Sequence, residues 1–385
     1  MVPVCLAAEP AFSSGVLTEW LTFSFFEVFQ EGVSSLKLWL VLKAALIVGA
    51  WLSVRFIPNN KVGVVEKLWS FQGSVPEGRI MAQFGEAGFQ IRLLRGGIHF
   101  GFWRWQYRIH RAPLVTVPQG QIAYVYARDG ESLAPSQTLG RIVDCDNFQN
   151  GSKFLHDEVD QPRGQRGRQR AILREGVYAI NPAAFVVIAS EHVFALPSLM
   201  DMHEQKTLKT WQLELAASEG FQPVLVGSPI DAPDPIHQEQ TSGVDSIGIV
   251  TVHDGPSLPS EEIIAPPVGV DSAQADFHNN FQDTEAFLRA GGRRGLQYQT
   301  LTDGTYFINH WFATVKPMPK KVVPIGYVGV VVSYNGSKVQ DISGTSFRHG
   351  ERVGEGERGV RKLPGRDTNY EMASKADIRR NSAVR

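Results

Sequence analysis

The order of apolar and polar positions divides the chain into one long apolar run and a series of short alternating segments. Residues 38–54 read LWLVLKAALIVGAWLSV, and Lys43 is the only charged residue among them. After this run, short stretches rich in Val, Ile, Tyr and Phe alternate with Gly, Pro, Asn and Asp. β-Branched and aromatic residues suit a pleated surface, and the intervening residues favour turns. The pattern therefore predicts one apolar helix followed by strand-rich units.

The apolar run predicts a short transmembrane helix at residues 38–54. A membrane helix needs about 20 apolar residues and at least ~17, so this span would be close to the lower limit. Trp39 and Trp51 lie near its two ends, where indole side chains favour the membrane interface. Lys43 would cost roughly 3 kcal/mol at the bilayer centre, but it is close enough to one end for its charge to reach the headgroups. A buried core helix is the alternative interpretation.

Charges on either side of the run predict its orientation. Lys37 and Arg55 flank it, and further basic residues follow at Lys61, Lys67 and Arg79, whereas glutamates dominate the segment before it. Basic residues close to a span favour the cytoplasmic side. We therefore expect a single-pass protein of the cell membrane, with the bulk of the chain in the cytoplasm.

The strand-rich part of the chain repeats itself. Pro58, Pro118 and Pro324 each begin a phrase in which a Gly or Asn turn leads into a β-branched strand. Residues 122–181 also align with residues 247–309 through Asp-Gly-x-Ser-Leu, Asn-Phe-Gln, Phe-Leu, Gly-x-Gln and Gly-x-Tyr-x-Ile-Asn, in that order. Ordered matches of this kind indicate a duplicated module with a spacing of roughly 125 residues. A strand-rich unit is thus used up to three times, and a fourth begins.

The repeats and the linker-like composition between them predict a division of the chain. In chain order we expect an N-terminal segment (1–37), the helix (38–54), two strand-rich units (55–117 and 118–226), a linker (227–245), a repeat unit (246–322), a partial repeat unit (323–365) and a disordered tail (366–385). The linker is inferred from its Pro, Asp and Ser content. Residues 201–220 predict an amphipathic helix that ends at Gly220.

Composition and charge exclude few classes of function. Charged residues make up 20% of the chain and the net charge is −1, so there is no overall signal for nucleic acid or for an acidic partner. The chain has only two cysteines, Cys5 and Cys145, and they cannot form a disulfide framework. No Cys/His set has the spacing of a zinc site, so no metal or other cofactor is expected.

The sequence contains no converging set of catalytic groups. There is no Gly-x-Ser-x-Gly nucleophile elbow and no Walker-type loop. The stretch GEGERG at residues 354–359 fits the spacing Gly-x-Gly-x-x-Gly, but it lacks the strand and helix that give this motif its function. The histidines are scattered. We therefore expect a protein that is not an enzyme and has no catalytic residues.

Residues 161–170, QPRGQRGRQR, form the most basic short segment of the duplicated part. Such a segment is either a patch for anionic lipid or nucleic acid, or a solvated loop between two strands. The corresponding segment of the second copy, residues 289–297, keeps some of the arginines, which also suits a repeated surface loop.

The phrase IPNNKVGVVEK behind the apolar run, followed by the step Gly97-Ile98-His99-Phe100 and an aromatic strand, resembles the band 7 or SPFH domain of stomatin, prohibitin and flotillin. Bacterial flotillin-like proteins are the most similar members, and the resemblance covers about residues 55–345. It implies an α+β fold, in which an N-terminal transmembrane helix is followed by tandem β-rich SPFH-like units with packed helices. It also implies assembly into large rings or cages. The long coiled coil that usually follows this domain is not present in the sequence.

The resemblance implies a membrane-anchored scaffold that forms homo-oligomers and organises membrane proteins or lipid microdomains. The alternative is a regulatory adaptor or subunit of a membrane protease or another membrane-bound enzyme complex. Nucleic acid is not an expected partner. The residues expected to contact lipid are Lys37, Trp39, Lys43, Trp51, Arg55, Trp103, Arg104 and Trp105. The last three could instead belong to a core strand and its edge.

Overall fold

We describe a computed structural model of the chain, in which residues 37–135, 137–156, 162–227, 230–233, 241–260, 262–323 and 325–329 are described. Of these described residues, about 31% lie in strands and about 18% in helices. The fold is therefore built mainly of β-sheet. Three segments of the chain share one arrangement of strands, and we call them the first, second and third modules.

The first module, residues 55–113, is a four-stranded sheet with a short strand pair beside it. Its strands are β1 (Arg55–Ile57), β2 (Lys61–Lys67), β3 (Met81–Ala82), β4 (Gly88–Leu94), β5 (Gly97–His99) and β6 (Tyr107–Pro113). β2 is the central strand and pairs antiparallel with β4 and β6. β3 runs parallel to β4 at one edge, and β1 pairs antiparallel with β5.

The second module, residues 115–194, repeats this arrangement and adds a short helix. Its elements are β7 (Val115–Val117), β8 (Ala123–Ala127), α2 (Gly151–Leu155), β9 (Gly167–Leu173), β10 (Gly176–Tyr178), β11 (Phe185–Ile188) and β12 (Val193–Phe194). β8 is the central strand and pairs antiparallel with β9 and β11. β7 pairs antiparallel with β10, as β1 does with β5.

The third module, residues 224–319, has the same order of strands with one inserted hairpin. Its elements are β13 (Val224–Val226), β14 (Ile230–Pro233), β15 (Thr241–Val244), β16 (Ser246–Val252), α4 (Thr284–Arg289), β17 (Gly295–Leu296), β18 (Gly304–Tyr306) and β19 (Ala313–Pro319). β16 is the central strand, between β17 and β19. β13 pairs with β18, and β14 pairs with β15.

Glycine fixes the same corner in each module. β5, β10 and β18 begin at Gly97, Gly176 and Gly304, whose φ angles are 133°, 150° and 156°. Residues with a Cβ avoid these angles, so glycine is required where the chain turns into the short strand. The sequence repeat thus corresponds to a repeat of strand pairing.

An apolar helix, α1, occupies residues 37–53, but the expected transmembrane span is wrong. Among the described residues, the structure contains no helix that is both long enough and apolar enough to cross a membrane. At a rise of 1.5 Å per residue, α1 measures about 26 Å, less than the ~30 Å of a bilayer core. The chain leaves the helix because Arg55 starts β1 and pairs with His99 of β5.

This finding also overturns the α+β fold class with an N-terminal transmembrane helix, and the single-pass location in the cell membrane. The chain is mostly β-sheet with few helices. Residue types alone predicted an apolar helix, but the helix length depends on where the first strand pair begins. That pair forms between β1 and β5, which are separated along the chain.

The helix expected at residues 201–220 is present as α3 (Met202–Ala217). Asp201 caps its first turn by accepting a hydrogen bond from Glu204 N, and the chain turns away at Gly220. Leu208 and Leu215 are its buried residues, and they pack against the side of β8 and β11 that faces away from the main core. The helix therefore closes the second face of the second module.

The hydrophobic cores cross the borders between modules. The main core of the second module includes Met81 and Ile91 from the first module. The core of the third module includes Leu139 from the second. Met81 and Leu139 are both fully buried. The first module thus contributes Met81 and Ile91 to the core of the second, and the second contributes Leu139 to the core of the third.

Several expected segments lie partly or wholly outside the described residues. Part of the expected linker, 227–245, forms the hairpin of β14 and β15. The N-terminal segment, 1–37, is described only at Lys37. Most of the partial unit, 323–365, and all of the tail, 366–385, lie outside the described residues. These assignments remain predictions.

Candidate functional site: two repeated joints and an arginine pocket

The asparagine that ends the second Gly-x-Tyr-x-Ile-Asn motif joins the third module to the second. Asn309 Nδ2 donates hydrogen bonds to Gln169 O at 3.0 Å and to Arg170 O at 2.9 Å. Its Oδ1 accepts a bond from Trp311 N at 2.9 Å, which closes the turn before β19. Asn309 is buried, so all of these bonds are shielded from water. The side chain holds its own turn and the edge of β9 at once.

The first copy of the motif makes the same joint between the first and second modules. Asn181 Nδ2 donates to Gln90 O and to Ile91 O, both at 3.1 Å. Its Oδ1 accepts a bond from Ala183 N at 3.0 Å. Gln90 and Gln169 occupy the same place in β4 and β9. The motif therefore marks a contact between modules as well as the end of a strand.

A second repeated joint is formed by the aspartate of Asp-Gly. Asp129 Oδ2 accepts hydrogen bonds from Ile80 N at 3.0 Å and from Met81 N at 2.8 Å, in the first module. Asp254 Oδ1 accepts from Thr138 N at 3.0 Å and from Thr138 Oγ1 at 2.9 Å, in the second module. Both aspartates are buried. Asp129 binds Met81 N, and the Met81 side chain lies in the core of the second module. Asp254 binds Thr138, and the next residue, Leu139, lies in the core of the third module.

The contact between the second and third modules also contains a buried ion pair. Arg170 Nε donates to Asp254 Oδ2 at 2.8 Å, and Arg170 Nη1 donates to Glu285 Oε1 at 2.9 Å. The side chains of Arg170 and Asp254 are almost completely buried. Glu285 Oε1 also accepts a bond from Ile142 N at 2.8 Å. Between the first and second modules the position of Arg170 is taken by Ile91, so the asparagine bonds are the same at both junctions while the side chains at this position differ.

In the first and second modules, one face is covered by the next module, and the corresponding face of the third module is exposed. Ile91 is 6% exposed and Arg170 is 5% exposed, because the next module lies against each of them. The corresponding residue after Gln297 is Tyr298, and it is 67% exposed. Ile263 is also exposed, and it lies in the loop of the third module that corresponds to the loop before Leu139 in the second module. The third module thus ends in an open joint face, so far as the described residues show.

Two of the four arginines of residues 161–170, Arg168 and Arg170, make contacts within the fold. The Arg168 guanidinium lies over the rings of Trp211 and Trp311, with its carbon 4.2 Å and 5.2 Å from their centroids. Burial lowers the pKa of Arg168, and Glu214 acts against this effect. Arg170 belongs to the ion pair described above. These two side chains connect α3 and the third module to β9, whereas Arg166 is exposed, and the two interpretations of the segment as a whole stay predictions.

The residues expected to contact lipid are only partly brought together. Trp103 and Trp105 stack with ring centroids 4.8 Å apart, and Arg104 lies over the ring of Trp51 at 5.3 Å. Lys37, Trp39 and Lys43 lie further along α1 and are exposed; Arg55 lies in β1. Their assignment as lipid contacts stays a prediction.

Four arginines line a pocket of about 550 Å³ at the foot of α1, which we call the arginine pocket. They are Arg55, Arg104, Arg108 and Arg111, and the rest of the wall is mostly apolar. Burial lowers the pKa of Arg55, and the positive charges of Arg104 and Arg111 lower it further. The sequence prediction included Arg55 and Arg104 among the lipid-contact residues, and it placed Arg108 and Arg111 in the same surface segment without assigning them to a site. The signal was the series of arginines at 104, 108 and 111, which lies on and just before β6.

Within the described part of the chain, no group of three or more His, Cys, Asp or Glu side chains is placed to hold a metal ion. Cys145 is a buried free cysteine in the core of the second module. Comparison of the chain with protein-family models, with curated proteins and with solved structures gives no match.

Proposed function

We propose that this protein is a non-catalytic scaffold whose copies associate through α1. The observation that carries the proposal is the apolar surface of this helix. Nine of its large apolar side chains are 51–70% exposed: Leu38, Trp39, Leu40, Val41, Leu42, Leu46, Ile47, Val48 and Trp51. A contiguous exposed apolar patch of this kind marks an interaction surface, since water contact with it is unfavourable.

The occupant we propose for this surface is the same helix of other copies of the chain. Residues 37–48 are exposed on every side of the helix, so a single partner helix would cover only part of the apolar area. A helix that is apolar all round is normally buried among several neighbours. Every copy carries this surface, so a bundle of α1 helices covers it without any other protein.

The C-terminal end of α1 is attached to the first module. This attachment supports a role in organising other molecules. Phe102 N donates to Ser53 O at 3.1 Å, and Arg104 lies over Trp51. A bundle of helices would therefore set the direction in which the modules leave it. The shared cores and repeated joints keep the three modules of each copy in a fixed order. This arrangement supports a function by contact, and relationship to the band 7 or SPFH family is part of the same proposal.

Sedimentation of the purified full chain tests the proposal. We expect the wild-type chain to sediment as an assembly of several copies. Replacing Leu42→Glu and Leu46→Glu places two charges on one side of α1 and should give a species near the 42.6 kDa of one chain. The matched control is Leu213→Glu with Leu225→Glu, two exposed leucines on α3 and β13, and it should sediment like the wild type.

Circular dichroism of each variant verifies that the modules remain folded. A wild-type chain that sediments as a single copy at micromolar concentration would exclude association through α1. Equal dissociation of the control variant would show that the effect is not specific to this helix.

A further inference from the structure

We propose that the arginine pocket binds a phosphate-bearing anion. Four arginine residues, Arg55, Arg104, Arg108 and Arg111, line one cavity. Its volume of about 550 Å³ is large enough for a phosphate group and part of the molecule that carries it. This inference does not depend on the association of α1.

The positive charge of the pocket has little compensation from the described residues. Arg108 pairs with Glu66 at 3.6 Å, and Glu66 also contacts His110 at 2.7 Å. For Arg55, Arg104 and Arg111, no carboxylate lies within ion-pair distance in the described part of the chain. Like charges gathered in one pocket repel each other, and a bound anion would relieve this repulsion.

Two of the arginines are held in place by the backbone. Arg55 Nη2 donates to Tyr107 O at 3.2 Å, and Arg111 Nη2 donates to Phe56 O at 3.1 Å. Each of these bonds uses one of the five N–H donors of a guanidinium group. The two guanidinium groups are therefore held in position, which lowers the entropy cost of binding a ligand.

One of the remaining donors is already removed from water. Arg55 Nε is buried and has no hydrogen-bond acceptor among the described residues. An unsatisfied buried donor costs about 1–3 kcal/mol, so native structures usually provide a partner. The planar guanidinium fork matches the oxygens of phosphate, which is why arginine is common in phosphate sites.

The pocket wall also favours an anion with an apolar part. Ile57, Leu68 and Ile109 line it beside the arginines. A phosphate monoester fits this combination, and two sources share that chemistry: a free phosphorylated small molecule and a phosphatidic acid headgroup. Inorganic phosphate and pyrophosphate probe the charge alone, and a short-chain phosphatidic acid below its micelle concentration probes the charge together with an acyl chain.

Calorimetric titration of the full chain at low ionic strength tests the proposal. We expect saturable binding of at least one of inorganic phosphate, pyrophosphate and dihexanoyl phosphatidic acid. Arg104→Gln with Arg111→Gln should weaken that binding at least tenfold, and Arg111→Lys should weaken it less because the charge remains. The control Arg79→Gln with Arg92→Gln removes two charges from the same module outside the pocket and should leave binding unchanged.

The outcomes separate the two sources. Binding of pyrophosphate as tight as that of the phosphatidic acid would identify a free phosphorylated ligand, and binding of the phosphatidic acid alone would identify a ligand with an acyl chain. Absence of binding for all three probes would overturn the proposal. Equal weakening by the pocket and control variants would overturn it too, because the charge of the module and not the pocket would then be responsible.

Discussion

Asn181 and Asn309 each bind the backbone of the module before their own. An amide side chain is suited to this position because it both donates and accepts. Its NH₂ group binds two neighbouring carbonyl groups of a strand edge, and its oxygen closes the local turn. A carboxylate cannot donate, and an alanine leaves buried carbonyl groups without a partner. The residue type is thus explained by a contact between modules.

We expect Asn309→Ala to lower the free energy of unfolding by about 1–3 kcal/mol, because two buried carbonyl groups and Trp311 N lose their partner. Asn309→Asp should be at least as destabilising, since a carboxylate cannot donate to Gln169 O or Arg170 O. Urea unfolding followed by circular dichroism measures both. A loss below about 0.5 kcal/mol would mean that the joint does not depend on this side chain.

Cys145 gives a second prediction at the scale of one residue. Burial raises the pKa of its thiol to about 11. The pKa in the folded chain is thus above the ~8.5 of an exposed cysteine, so this group's contribution to stability is full below about pH 8.5 and is lost as the pH rises through about 11.

In a Cys5→Ser chain, we expect iodoacetamide to leave Cys145 unmodified at pH 8 and to modify it rapidly once urea unfolds the protein. Mass spectrometry measures the modified fraction. Rapid modification of the folded chain at pH 8 would contradict the buried position of this thiol.

At the scale of elements, the equivalent position on β4 and β9 is occupied by an apolar residue in one strand and a charged residue in the other. Ile91 packs into the core of the second module, and Arg170 pairs with Asp254 and Glu285. The backbone bonds from Asn181 and Asn309 are the same in both cases. The strand edge therefore sets the geometry, and the side chain is free to be apolar or charged.

The same position supplies a matched pair of variants. Ile91→Ala should cost about 2–5 kcal/mol, because Ile91 is buried between two modules. Tyr298→Ala should change stability by no more than about 0.5 kcal/mol, because Tyr298 is exposed on the open face of the third module. Urea unfolding measures both. A cost at Tyr298 close to the cost at Ile91 would show that this face is covered.

The charged joint provides a rescue experiment. Asp254→Ala should cost about 3–5 kcal/mol, because it removes the closest partner of a buried guanidinium. Adding Arg170→Ile, the apolar solution of the first joint, should recover at least about 1 kcal/mol of this loss. The comparison uses unfolding free energies of the two variants. A double variant that is less stable than Asp254→Ala alone would show that Arg170 has a further role.

At the scale of the whole molecule, the modules are linked by cores as well as by polar joints. Met81 and Leu139 each leave their own module and are buried in the core of the next. A module that unfolds would therefore expose part of its neighbour. This sharing favours cooperative unfolding along the chain, as in other repeat proteins with strong contacts between neighbours.

We expect hydrogen exchange to show similar protection for β2, β8 and β16 in the wild-type chain. In a chain with Asp254→Ala and Asn309→Ala, the five hydrogen bonds that these two side chains make to the second module are removed, and the bonds of Glu285 remain. Protection of β16 should then fall by at least tenfold while β2 keeps its own. Mass spectrometry resolves the three strands. An equal fall in protection in all three would show that removing these bonds does not uncouple the third module from the other two.

Some features of the fold and of the candidate sites were accessible from sequence. Gly176 and Gly304 were recognised as turn residues because their residue type reflects a local angle. The helix at 201–220 was recognised from its pattern of Leu and charged residues. The transmembrane helix was predicted wrongly, because apolar residues report burial or contact and do not report where a helix ends.

The sequence by itself determined the repeated strands, their turns and the apolar helix, because each depends on residue types that lie close together in the chain. The tertiary structure decided which residues form joints and pockets. Arg170 and Asp254 are 84 positions apart, and only the stacking of modules brings them within 2.8 Å. The same holds for Arg55 and Arg111, which meet because β1 and β6 border one pocket. Contacts between distant segments depend on packing geometry, and no local pattern of residues contains that information.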